Sequence, residues 1–338
     1  MLRSCGFACV LAAGLWHVGH AGTLDVYVLA GQSNMSGWGE VTQLVPPLSE
    51  PQADVLYHVA GGGFGLLRPT QDDFGPELSF GRTLADHSPA PLGIVKHALG
   101  STSLAVDWEP RVGELYLQLV SRVNHARTYW QGLGFEPRIA GILWMQGEQD
   151  AKFAELAESY AAHWVEFLAA LRDDLQAADA PALVGVIRGA DFRYRDVVRA
   201  AQRAVGGLGI AAYPIETDDL TTVEGLHFDT AAQLTLGRRF ATAMLGARSD
   251  APGDANGDGQ VGIEDLNAVR NNFAGWGAGD VTRDGLIGID DLNLVRNYFG
   301  AGPAATPVPE PSGLALLAIG VLAAFPKRAQ FMRVFMRG

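Results

Sequence analysis

Residues 24–30, LDVYVLA, run directly into Gly31-Gln32-Ser33-Asn34-Met35. A short, largely apolar run rich in β-formers and closed by a glycine reads as a strand buried on both faces. Working outward, GIVKHA (93–98), IAGILW (139–144) and LVGVI (183–187) are further runs of this kind. Helical spacings lie between and after them. They are Leu115, Leu119, Val120 and Val123 within 113–131, Leu156, Tyr160, Trp164, Phe167 and Leu171 within 151–176, and Leu234, Leu236, Phe240 and Met244 within 230–245. Apolar residues three or four apart line one face of a helix. Short strands alternating with such helices predict an α/β fold with a parallel sheet covered on both faces. Ligands of such sheets sit at the carboxyl ends of the strands, so the residues after each run are the ones to inspect.

Composition agrees with a folded protein. Of 338 residues, 48% are hydrophobic and 18% charged, which excludes disorder for most of the chain. A net charge of −12 argues against nucleic acids and anionic membranes as main partners. Both cysteines, Cys5 and Cys9, lie in an N-terminal segment that reads as a secretory signal. Arg3 precedes a short apolar core, and Gly19-His20-Ala21 offers a small-residue cleavage site, so residues 1–21 are expected to be removed. The mature chain then has no thiol, which excludes disulfides, zinc-thiolate sites and a cysteine nucleophile.

Four polar segments follow strands or open helices. Ser33 sits on the turn after the first strand. Gly100 opens Gly100-Ser101-Thr102-Ser103 after the second, and glycine there lets a backbone N–H approach a ligand closely. Gln146, Glu148 and Asp150 follow the third, and Glu224 and His227 stand three residues apart before a helical stretch. Taken singly, Ser33 and Asp150 read as helix caps, and His227 as a surface histidine beside the cap residue Asp229. Together they supply a nucleophile, a base with an orienting acid, and oxyanion donors, the minimum for acyl transfer. The turn is not G-x-S-x-G, because Met35 fills the last position.

GQSNM (31–35), GSTSLAVDW (100–108), WMQGEQDA (144–151) and GLHFD (225–229) resemble the sialate O-acetylesterase family of carbohydrate esterases, within the SGNH-type hydrolases. The resemblance spans about residues 24–245. It implies a flavodoxin-like three-layer α/β/α sandwich and removal of O-acetyl groups from sugars such as sialic acid or acetylated xylan, without a catalytic cofactor. By position it makes Ser33 the nucleophile and His227 the base. Oxyanion donors would be the backbone N–H groups of Ser33 and Gly100 and the side chain of Gln146, with Asn34 and Glu148 bracing the site. The family usually has aspartate where this chain has Glu224, and Asp218 and Asp219 are alternative acids. A paired carboxylate would raise the His227 pKa. The alternative reading is a catalytically silent surface protein that binds carbohydrate or acts as a scaffold on the same fold.

Beyond residue 250 the composition shifts. Residues 251–310 hold nine acidic and three basic side chains, −6 in a short stretch. Gly253–Phe273 and Gly279–Phe299 match at 13 of 21 positions, so residues 251–302 are a duplicated module. Asp254, Asn256, Asp258, Gln260 (by its carbonyl) and Asp265 stand at positions 1, 3, 5, 7 and 12 of a calcium loop, with Gly259 at the sharp turn. The second copy offers Asp280, Thr282, Asp284, Leu286 (by its carbonyl) and Asp291. The pair resembles a type I dockerin, a small all-α module that binds calcium and docks to cohesin modules. Positions 10 and 11, often Ser-Thr in that family, are Ile263-Glu264 and Ile289-Asp290 here, which departs from cohesin recognition.

Residues 303–338 form a linker and tail. Pro309-Glu310-Pro311 precedes GLALLAIGVLAAF (313–325) and a basic end with Lys327, Arg328, Arg333 and Arg337. This resembles a PEP-CTERM sorting signal, which implies transient membrane association, cleavage by an exosortase-type enzyme, and a secreted or cell-surface destination. An ordinary tail anchor is the alternative.

Overall fold

The computed structural model describes residues 22–59, 61, 63–70, 73–188, 191–248, 251–275, 279–282 and 287–302. The signal-like segment 1–21 and the tail 303–338 lie outside the described residues. So do Asp284 and Leu286 of the second loop.

The strands are β1 (Gly22–Gly31), β2 (Gly39–Glu40), β3 (Gln52–Val59), β4 (Gly63–Leu67), β5 (Asp73–Phe74), β6 (Leu92–Ala98), β7 (Phe135–Met145), β8 (Ala182–Gly185), β9 (Ala212–Ile215), β10 (Thr222–Val223) and β11 (His227–Phe228). The helices are α1 (Ser33–Ser36), α2 (Glu77–Asp86), α3 (Glu114–Gly132), α4 (Ala154–Leu175), α5 (Arg195–Ala204), α6 (Thr230–Arg248), α7 (Ile263–Asn271) and α8 (Ile289–Tyr298).

Seven strands form one sheet in the order β4-β3-β6-β1-β7-β8-β9. All neighbours are parallel except the β3–β4 hairpin. The five strands β6-β1-β7-β8-β9 have the 2-1-3-4-5 order of a flavodoxin-like sheet, with β3 and β4 added at one edge. Helices α2 and α6 pack on one another and on the sheet, as do α3 and α4 in a second group, giving a mixed α/β sandwich. Trp130, Trp144, Trp164, Tyr160 and Phe167 are buried in its core.

Sequence reading found β1, β6, β7 and β8 but not the β3–β4 edge, β9, α2 or α5. Strand β9 is only four residues long, and its Pro214 disguises it. The polar face of α5 dominates its composition, and only Val198, Arg199 and Gln202 are buried.

Register places the chemistry. Gly31 pairs with Ala98 of β6 and with Met145 of β7, so three strand ends lie level. The segments that follow them are therefore neighbours. Gly31 has φ +148°, and a Cβ there would meet the Met145 carbonyl oxygen at 2.1 Å, so only glycine allows this approach. The chain turns at once, and the Gln32 N–H donates to the Met145 carbonyl at 2.9 Å.

The duplicated segment forms α7 and α8 with a small core of its own: Val261, Val269, Ile287 and Val295. Position-12 carboxylates cap both helices. Asp265 accepts from the Gly262 N–H and Asp291 from the Gly288 N–H, each at 2.7 Å.

Candidate active site

Ser33 begins α1, a helix of only four residues. It is half-buried, and its Oγ lies 3.1 Å from Nε2 of His227. The β10–β11 hairpin delivers His227, because Val223 pairs with His227 across a short turn at Glu224, Gly225 and Leu226. Asn34 locks this hairpin to the β1 turn. Its Oδ1 accepts from the Phe228 N–H at 2.9 Å, and its Nδ2 donates to Glu148 Oε1 at 2.8 Å and to the Leu226 carbonyl at 3.3 Å. Asn34 and Glu148 are buried, so this brace is shielded from water. Burial pushes the Glu148 carboxyl above the ordinary glutamate range. Asp229 caps α6, accepting from the Ala232 N–H at 2.9 Å.

Gly100 lies against Ser33: a Cβ on it would stand 3.5 Å from Ser33 Cβ. Among the described residues, the backbone N–H groups of Ser33 and Gly100 have no hydrogen-bond acceptor. Both are available as oxyanion donors.

Two assignments are corrected. Gln146 does not offer an oxyanion donor. It is fully buried, and its Nε2 donates to the Thr102 carbonyl at 2.7 Å and to Asp150 Oδ2 at 2.5 Å, which occupies both hydrogens. Asp150 in turn accepts from the Leu104 N–H, and burial lifts its carboxyl to about 6. Asp150 thus ties the β6 and β7 loops together instead of capping a helix.

Glu224 does not form the expected triad bond. Its Oε2 is 3.9 Å from His227 Nδ1, outside hydrogen-bond reach, and its side chain is 71% exposed. Nδ1 is buried and has no hydrogen-bond partner among the described residues. Asp218 and Asp219 do not replace Glu224. Asp218 is held by Arg199 and Arg203, and Asp219 by Arg239. The expected rise in the His227 pKa is corrected with them. Burial outweighs the distant Glu224 charge and holds His227 below the ordinary histidine value. Sequence reasoning missed Trp38, whose indole lies parallel to the His227 imidazole with centroids 3.9 Å apart and planes 4° apart. Its nearness in sequence to Ser33 was the available signal.

The residues expected to bind calcium have an all-oxygen donor set, which suits a hard cation. Their carboxylates nonetheless bind the loop's own backbone. Asp254 accepts from the Gly257, Asp258 and Gly259 N–H groups. Asp265 accepts from Ala255, Asn256 and Gly262, and Asp291 from Thr282. Among the described residues, no three acidic, histidine or cysteine side chains converge on a metal position.

Comparison with known proteins agrees with this geometry. The family described as carbohydrate esterase, sialic acid-specific acetylesterase, matches residues 23–246. A probable carbohydrate esterase of Arabidopsis thaliana is 28% identical over 244 residues, 65% of this chain and 90% of that protein. A crystal structure of an Arabidopsis thaliana protein superposes with TM-score 0.57 at 27% identity, covering 66% of this chain and 98% of the other. A carbohydrate acetylesterase from Xanthomonas citri gives TM-score 0.53 at 19% identity, covering 70% and 57%, and shares the fold. With the family match spanning the sheet and every element of the Ser33–His227 site, the chain belongs to the sialic acid-specific acetylesterase family of carbohydrate esterases.

Proposed function

We propose that this chain is a secreted serine esterase that removes O-acetyl groups from carbohydrates through an acyl-enzyme. The observation that carries the reading is the 3.1 Å contact between Ser33 Oγ and His227 Nε2 at the level strand ends. His227 takes the hydroxyl proton as Ser33 Oγ attacks the acetyl carbonyl carbon. Negative charge develops on the carbonyl oxygen against the Ser33 and Gly100 N–H groups. The C–O bond to the sugar breaks, and His227 returns the proton to the departing sugar hydroxyl. Water, deprotonated by the same imidazole, then bonds to the acetyl carbon, the bond from that carbon to Ser33 Oγ breaks, and His227 returns the proton to Oγ as acetate leaves. Asn34 and Glu148 hold the hairpin that carries His227.

Sialic acid and acetylated xylan are both candidate acetyl carriers. Acetate release from a panel of acetylated glycans, with Ser33→Ala as control, tests the reading. Binding of glycans without any release by the wild-type chain would favour the silent carbohydrate-binding protein instead.

The same proposal covers the ends of the chain. The duplicated loops take structural calcium, with a cohesin-like module as the class of partner, and residues 303–338 direct an exosortase-type cleavage at the cell envelope. Duplicated ligand spacing and the Pro309-Glu310-Pro311 signature support these readings. Intact-mass measurement on the envelope protein checks the ends: loss of residues 1–21 and of most of the chain beyond Pro311 is expected. A retained 313–338 peptide would identify a plain anchor.

A further inference from the structure

We propose that Trp38, in place of a triad carboxylate, is the residue that positions His227 for catalysis. The inference rests on the esterase reading of Ser33 and His227. To accept the serine proton, Nε2 must hold the lone pair and face Ser33 Oγ. A triad acid secures this by bonding Nδ1. Here Nδ1 has no hydrogen-bond partner among the described residues, and Glu224 stands 3.9 Å away on an exposed side chain at a turn residue with φ +57°. The ring therefore needs another restraint.

Trp38 supplies it by contact. Parallel rings 3.9 Å apart are in van der Waals contact across their faces, so the imidazole cannot rotate about Cβ–Cγ without driving an edge into the indole. The backbone that carries the indole is held, because the residues on either side of Trp38 are pressed against β5. Gly39 pairs with Phe74, and a Cβ on Gly37 would fall 2.3 Å from the Phe74 and Gly75 backbone. The Gly37 N–H also donates to the Ser33 carbonyl at 2.9 Å, which joins the Trp38 segment to the nucleophile turn. Trp38 is 43% exposed, more than a residue placed only for core packing would be.

The test compares Trp38→Ala, Trp38→Leu, Trp38→Phe and Glu224→Gln in the full chain. Aryl acetate hydrolysis is measured alongside NMR titration of the His227 ring. Loss of the flat face should lower kcat in the alanine and leucine variants by roughly 10²-fold, the scale of a misplaced catalytic group, with KM nearly unchanged. Trp38→Phe should recover most of it, and Glu224→Gln should stay within about threefold of wild type, as expected for an exposed, unbonded charge. Glu224 is the charged group that acts on this ring, and burial acts against it. The His227 titration should therefore move up towards the ordinary value in Trp38→Ala as water reaches the imidazole. Wild-type kcat in Trp38→Leu, or a loss in Glu224→Gln as large as in Trp38→Ala, would overturn the proposal. Equal hydrolysis by wild type and Ser33→Ala would instead remove the esterase reading. The NMR arm would still report whether Trp38 covers His227, and an unmoved titration in Trp38→Ala and Trp38→Leu would refute the contact itself.

Discussion

The strand-end site and the C-terminal repeat pair both place carboxylate and amide side chains on glycine-bearing turns, yet they use them in opposite ways. At the strand ends the turns are held by a seven-stranded sheet, and Asn34, Glu148, Gln146 and Asp150 bind across loops from different strands. Ser33, Gly100 and His227 are left free to face a substrate. In the repeats, Asp254 and Asp265 satisfy the N–H groups of their own loop. Among the described residues, the repeat core has four buried apolar side chains with a few half-buried ones packed on them. A large core can hold polar groups in readiness for a ligand, whereas a small one uses them to hold itself together.

Substitutions can break this contrast, and the nucleophile is the most sensitive point. Ser33→Ala should reduce kcat by roughly 10⁴-fold or more, since removing a serine nucleophile leaves only oxyanion stabilisation and binding. Steady-state hydrolysis of an aryl acetate measures it, and near-wild-type turnover would end the assignment.

Asn34→Ala comes next. It strips the Phe228 N–H and Glu148 of their shared partner, so each orphaned group should cost about 1–3 kcal/mol of stability. Release of the hairpin should lower kcat by roughly 10²-fold. Denaturant melts and kinetics on the same preparation separate the two effects.

On the other side of the contrast, calorimetry of the full chain with calcium and with chelator reads the repeats. Ligand at a hundred times its Kd stabilises a binding-competent fold by about 2.7 kcal/mol, so a low-temperature transition should move upward with calcium. Identical scans would leave the backbone-capping arrangement as the loops' resting use.

Gln146→Leu sharpens the corrected assignment. Thr102 and Asp150 lose a buried donor, so stability should fall by about 1–3 kcal/mol. Turnover well below the melting temperature should drop less than roughly tenfold, far short of the 10²–10³ lost with a true oxyanion donor. A full 10³ loss would return Gln146 to the oxyanion hole.

The smallest effect is in pH. As the proposed base, His227 would act in its neutral form, and burial disfavours its charged form. kcat/KM should therefore rise with pH through an apparent pKa below about 6.5, then level off. A rising limb centred above that value would indicate a carboxylate on Nδ1.

Much of this was legible in the chain. The LDVYVLA strand, the three later apolar runs and the helical spacings follow from which residues can be buried with period two or 3.6. Where polar residues follow those runs, the α/β pattern alone brings Ser33, Gly100 and the Gln146–Asp150 segment to one edge. Strands β4 and β9 escaped because glycines and a proline dilute their pattern, and β3 because polar Gln52, Asp54 and His58 interrupt its apolar residues.

Residue type and order determined the sheet, the nucleophile turn, the histidine hairpin and the duplicated acidic loops, because local propensity and hydrophobic period act over a few residues. Tertiary structure alone decided where each side chain points. Glu224 is near His227 in sequence but swings into solvent, Gln146 turns inward to Thr102 and Asp150, and Trp38 lies flat on the imidazole. Such choices depend on ångström-scale distances between loops from different strands, and no spacing along one chain encodes them.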